Sequence, residues 1–179
     1  LGPEAHAFVD FLARAKQKVW QVLPLGPTGF GDSPYQPFSS FAGTPNLISP
    51  EALVADGLLN DGDLVGVPRF PHDRVDFGPV IAFQQRVQRV AFERFTASPG
   101  SLRDDFDAFG AAHSTWLDDF ALFMAIHDRE AKSWSEWDES LALRRPEALA
   151  SARQRLSTQI AFHRFQQFLF ARHWSAVLA

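Results

Sequence analysis

Residues 19–48 read VWQVLPLGPTGFGDSPYQPFSSFAGTPNLI, and no other stretch of the chain bears so directly on the fold. Val19 to Leu23 is a short apolar run that reads as a buried strand. Pro24 ends it, because proline lacks the N–H that a ladder needs. From Pro24 to about Asn46 the chain reads as one long loop, and loops beyond about 12–15 residues are usually functional or disordered. Five prolines punctuate this one (Pro24, Pro27, Pro34, Pro37, Pro45), and Phe30, Tyr35, Phe38 and Phe41 can pin it, so an ordered loop is expected. Gly26, Gly29 and Gly31 permit positive φ and close backbone approach. A helix feeding a buried strand, with a long loop at the strand's C-terminal end, is how α/β units present their sites.

The totals bound the answer around this stretch. A chain of 179 residues that is 46% hydrophobic and 21% charged has the composition of a globular protein with a real core. The net charge of −4 supplies no basic field for nucleic acid or anionic lipid. No apolar run approaches the roughly 18–20 residues that span a bilayer, and no leader-like segment is present in these residues. There are no cysteines, which removes disulfides and thiolate metal sites and fits a reducing cytoplasm. Residue 1 is Leu, and RHWSAVLA at the other end still reads as helix, so a fragment of a longer protein is expected.

Helices dominate the remainder. Gly2-Pro3 opens the first, with Phe8, Phe11, Leu12 and Ala15 on one apolar face. Ser49-Pro50-Glu51 starts a short helix ending near Gly57. Residues 61–77 are turn-rich. Gly78-Pro79 opens a helix to about Ala97. Ser101 and Asp104 resemble a capping box for the next one. Ser114 to Ile126 carries Trp116, Leu117, Phe120 and Phe123. From Pro146 one helix is expected to run to the end, about 50 Å long at 1.5 Å per residue. Trp20, Trp116 and Trp174 sit in apolar patterns and read as core. Trp134 and Trp137 lie three apart on a polar segment, where they either stack on sugar faces or plug helices together.

The search for chemistry is mostly negative. Asp118 and Asp119 point about 100° apart on a helix and cannot flank a scissile bond. Asp104 and Asp107 sit in first turns, where acids complement the dipole. The histidines, His163 and His173 included, show no metal spacing and read as hydrogen-bonded packing or surface groups. Ser33 lies in no nucleophile elbow, and GPTGFG lacks a phosphate-binding pattern. What stands out is Asp32, Ser33, Tyr35 and Gln36: donors and acceptors beside an aromatic ring, the combination a sugar site needs. The bland reading is that Asp32 and Ser33 cap turns while Tyr35 packs.

At these residues the chain resembles the amylomaltase, or 4-α-glucanotransferase, family of disproportionating enzymes. The resemblance rests on residues 19–48 and extends over essentially the whole chain. LGPEAHAFVDFLARA (1–15), RVDFG (74–78), WLDDFALFMAI (116–126) and FHRFQQFLFARHW (162–174) each look like family segments. The family is a (β/α)8 barrel with helical insertions, and it passes α-1,4-glucan segments between sugars with retention, using two carboxylates. The resemblance implies a barrel segment over 1–48, a helical insertion over 49–145 and a long helix returning to the barrel over 146–179. It places Asp32, Ser33, Tyr35 and Gln36 in donor subsites for malto-oligosaccharide. It puts the catalytic carboxylates on strands outside these residues, so the chain alone is expected to be inactive. The full-length enzyme is expected to need no metal or cofactor. Phe30 stands where Tyr is common, Thr44 where Asn is usual, Asp138 where Pro is usual, and His173 where Gln often precedes the Trp. The alternative from another class is a stand-alone helical module that binds malto-oligosaccharide or protein without catalysis. A packing domain with no ligand is the third.

Overall fold

Helices begin where prolines and caps put them. The computed structural model describes residues 1–179, with every side chain but that of Phe30; the expected anchoring by Phe30, and the hydroxyl it lacks, lie outside the described side chains. Among the described residues eight α-helices follow in order: α1 Pro3–Arg14, α2 Pro50–Ala55, α3 Phe77–Ala97, α4 Leu102–Ala112, α5 Ser114–Glu130, α6 Glu139–Ala142, α7 Pro146–Arg155 and α8 Ser157–Leu178. Short 3-10 turns cover Phe30–Asp32, Pro45–Leu47, Asp61–Leu64 and Trp134–Glu136. Proline stands at the start of α1, α2 and α7, where a missing N–H costs nothing. The Ser49 hydroxyl accepts from Ala52 N–H at 3.1 Å, the expected cap of α2.

The axis of the molecule is α8, which packs against α5, α4, α3 and α1. Phe165 is fully buried at its middle, stacked on Phe95 with centroids 4.9 Å apart. Phe92 at 5.5 Å flanks the same ring, and Phe106 lies edge-on to Phe95 at 5.2 Å. Offset and edge-on ring pairs add about 0.5–1.5 kcal/mol each beyond the area they bury. This phenylalanine-rich cluster continues through Ile48, Leu53 and Val87, so the residues just after the loop are part of the core. A second cluster joins Leu122, Ala125, Ile126, Ala152 and Leu156 between α5 and α7.

Four expectations are corrected. Val19 to Leu23 is not a buried strand: Val19 is 83% exposed, and the one β-bridge among the described residues is Thr28 to Pro37. A strand needs a neighbour to satisfy its N–H and C=O groups, and no described segment offers one. The structure is therefore mostly α. Trp20 instead leans sideways, 5.4 Å from Phe8 and 6.4 Å from Trp174, and stays 39% exposed rather than core. The expected single helix from Pro146 is two. Leu156 leaves helical geometry at φ −108°, ψ 21°, and its buried side chain belongs to the second cluster. The break lets α7 cover α5 while α8 keeps its own line. Ser101 does not form the expected box: it is itself helical (φ −66°, ψ −18°), so its hydroxyl makes no cap. The box forms instead at Asn60 and Asp63, with Asp63 N–H donating to Asn60 Oδ1 at 3.2 Å and Asn60 N–H to Asp63 Oδ2 at 2.8 Å.

Candidate functional site

The loop is ordered, and its two halves are ordered differently. Its tip is a narrow return. Phe38 N–H donates to Pro27 C=O at 3.1 Å, and Thr28 bridges Pro37. Gln36 N–H donates to Ser33 C=O at 3.3 Å, and Tyr35 N–H to Ser33 Oγ at 3.3 Å. The turn needs two successive left-handed residues, Gly31 at φ 67° and Asp32 at φ 54°. Glycine takes this at no cost, and aspartate is among the few side chains that tolerate it. Tyr35 is 69% exposed and Gln36 is exposed; Asp32 and Ser33 are half-buried.

The base of the loop is clamped by buried amides. Gln167 grips Gly43 from both sides, accepting from its N–H at 2.8 Å and donating to its C=O at 2.9 Å. The backbone of Gly43 lies so close to the Phe170 ring that a Cβ would overlap it unless the ring moved. Gln88 donates to Pro45 C=O at 2.8 Å, and Gln84 to Ile48 C=O at 3.1 Å. Ser49 N–H donates to His173 Nδ1 at 3.1 Å. These side chains join into a relay: Gln88 Nε2 donates to Gln84 Oε1 at 2.9 Å, and Gln166 Nε2 to Gln88 Oε1 at 2.8 Å. His163 closes it, with Nδ1 3.0 Å from Gln166 Oε1 and Nε2 3.2 Å from Asp128 Oδ2. Buried polar groups are costly unless paired, and here each glutamine uses both ends of its amide.

Two titratable side chains are perturbed at this base. Burial lowers His173 to about 4, against the opposing pull of Asp56, so it stays neutral and can accept from Ser49. Burial works against ionised Asp128, but its hydrogen bond and charge attraction with His163, and less with His127, prevail and hold its carboxyl below the usual range. Asp128 is thus an anion that orients His163, not a proton donor.

A cavity of about 180 Å3 lies between the loop and helices α3, α5 and α8. Thr28, Asp32, Asn46, Gln85, Arg89 and Asp128 are among its walls. The Arg89 guanidinium lies 5.0 Å over the Phe162 ring. Of the four residues singled out in the sequence, the loop carries all on one tip, but only Asp32 lines the cavity; Ser33, Tyr35 and Gln36 stand outside it. No group of His, Asp or Glu among the described residues is arranged to hold a metal ion. Asp118 pairs with Arg164 at 3.6 Å, and Asp119 with Arg144 at 2.6 Å, surface roles as expected. No helix among the described residues is long and apolar enough to cross a membrane. Sequence reasoning missed the glutamine clamps. Their signal was Gln84/Gln88 and Gln166/Gln167, amides placed inside otherwise apolar helical faces.

A clamped loop base on a mostly helical core, carrying a polar-aromatic tip, defines a helical scaffold that presents one ordered loop. The chain belongs to the 4-alpha-glucanotransferase family, whose model matches residues 1–179. It is 45% identical to the 4-alpha-glucanotransferase of Synechocystis sp. over 100% of this chain and 36% of that protein. It is 44% identical to that of Thermus thermophilus over 100% of this chain and 35% of the relative. The chain thus spans about a third of the length of these relatives. Among solved structures it superposes on the amylomaltase from Streptococcus agalactiae in complex with acarbose with a TM-score of 0.89 and 38% identity, covering 98% of this chain and 36% of that one.

Proposed function

We propose that these residues are the loop-bearing part of a retaining 4-α-glucanotransferase that moves α-1,4-glucan segments between malto-oligosaccharides. The observation that carries this is the family match over all 179 residues, a span that includes a loop whose base is clamped by Gln167. In this reading residues 1–48 are a segment of a (β/α)8 barrel, 49–145 a helical insertion, and 146–179 the return to the barrel. Val19–Leu23 would take its sheet neighbours from outside these residues. Asp32, Ser33, Tyr35 and Gln36 bind substrate: Tyr35 offers a ring to the C–H face of a glucose unit, and the others meet hydroxyls. The two carboxylates that a retaining mechanism requires lie elsewhere. The carboxylates found here support that: Asp118 and Asp119 are tied to arginines, and Asp128 is held as an anion by His163.

Maltotriose disproportionation tests this. The intact protein should release glucose and longer maltodextrins without added metal or cofactor, and the 179-residue chain should release none. An intact protein that leaves maltotriose unchanged would overturn the reading. A second reading has its own support: α3 to α8, together with Ile48, α2 and Leu58-Leu59, enclose a core in which the described residues form no sheet, as a non-catalytic binding module would. Such a module would bind maltoheptaose yet never produce glucose from maltotriose, in any length of the protein.

A further inference from the structure

Trp134 and Trp137 are three residues apart and do opposite things. Trp137 is half-buried, with its ring 5.4 Å from Phe123 and its indole Nε1 donating to Lys132 C=O at 3.2 Å. It packs against the Leu122–Ile126 cluster and is explained by that packing. Trp134 is 58% exposed and is not used by the core. It stands at a cleft of about 270 Å3 walled by Leu122, Phe123, Leu141 and Leu149. The charged members of that cleft are Asp119 and Arg144, joined at 2.6 Å, and Arg153 reaches the other Asp119 oxygen at 3.4 Å. An aromatic row, Phe38 to Phe123 at 5.8 Å and Phe123 to Trp137, runs between this cleft and the loop.

We propose that this cleft is a second carbohydrate-binding surface, taking an α-1,4-glucan with Trp134 as its stacking platform. The choice of α-1,4-glucan rests on the function proposed above; the choice of a sugar rests on the cleft. A pyranose ring has an apolar C–H face and a rim of hydroxyls that both donate and accept. An exposed indole matches the first. A guanidinium already aligned on a carboxylate supplies fixed donors and acceptors for the second. The volume of about 270 Å3 lies just below the roughly 300–1,000 Å3 of small-ligand pockets, room for part of a sugar chain and too little for a docked helix. Trp134 follows the left-handed residue Ala131 that ends α5, and it opens the 3-10 turn Trp134–Glu136.

The test follows the Trp134 indole N–H by nitrogen-15 NMR in the intact protein, assigned through Trp134→Phe, during titration with maltoheptaose. A saturable shift of that resonance is expected. Trp134→Ala should also lose most of the wild-type retardation in a starch-containing native gel, with apparent affinity down about tenfold. A resonance unmoved by millimolar maltoheptaose, or a Trp134→Ala variant as retarded as wild type, would overturn the inference. Maltotriose disproportionation by the wild type keeps the two readings apart. If glucose appears while the Trp134 resonance is silent, only this inference fails. If no glucose appears, the proposed function fails, and the resonance still decides whether the cleft binds glucan.

Discussion

The tip and the base of the loop are separated by fewer than ten residues and are held by different physics. At the tip, the bonds of residues 31–36 among the described residues are local, and Tyr35 and Gln36 face water. At the base, residues 43–49 are bonded by side chains more than thirty positions away, on α3 and α8. The difference teaches how a helical scaffold presents a loop without covering it. Orientation is supplied by buried amides, which cannot turn without leaving a partner unpaired, and the tip is left open to solvent at Tyr35 and Gln36.

The largest effect should come from breaking the base. Gln167→Leu keeps the volume but leaves Gly43 N–H and C=O buried and unpaired, at about 1–3 kcal/mol each. A loss near 4 kcal/mol in denaturant unfolding is expected. Acid should attack the same region through His173. The unfolded histidine titrates near 6.5 and the folded one near 4, so the unfolded chain takes up the proton first. Stability is complete above about pH 6.5 and falls as pH drops toward 4, by up to about 3 kcal/mol. His173→Gln should flatten that pH dependence, because an amide oxygen can accept from Ser49 N–H without titrating. A smaller loss, about 1–3 kcal/mol, is expected of Gly43→Ala, whose methyl must displace the Phe170 ring. Tyr35→Ala should sit at the other extreme, changing stability by less than about 0.5 kcal/mol while weakening maltoheptaose binding in titration calorimetry. A large stability loss there would mean that the tip is not free.

Much of this was legible in the sequence where the physics is local. Proline at a helix start, Ser49 as a cap and a loop stiffened by proline all act within a few residues, and the structure agrees. The unreadable parts depend on distant partners. The hydrophobic stripe continues through Leu156, so periodicity predicts one helix; the break is set by what Leu156 packs against. Val19–Leu23 has strand chemistry, but a strand exists only with a neighbour. Asn60-x-x-Asp63 and Ser101-x-x-Asp104 share one spacing, and only the first has an extended cap residue. The four candidate residues could be named as a set, but the approach of Asp32, alone of the four, to the cavity, and the glutamines that fix the loop's base, needed the tertiary fold.

Backbone hydrogen exchange of the intact protein, with and without maltoheptaose, tests the two-part loop most directly. Gly43 and Ser49 amides should be strongly protected in both states, while Tyr35 and Gln36 amides exchange fast and slow only when maltoheptaose is bound. Equal exchange of base and tip, or a tip indifferent to saturating maltoheptaose, would contradict the account.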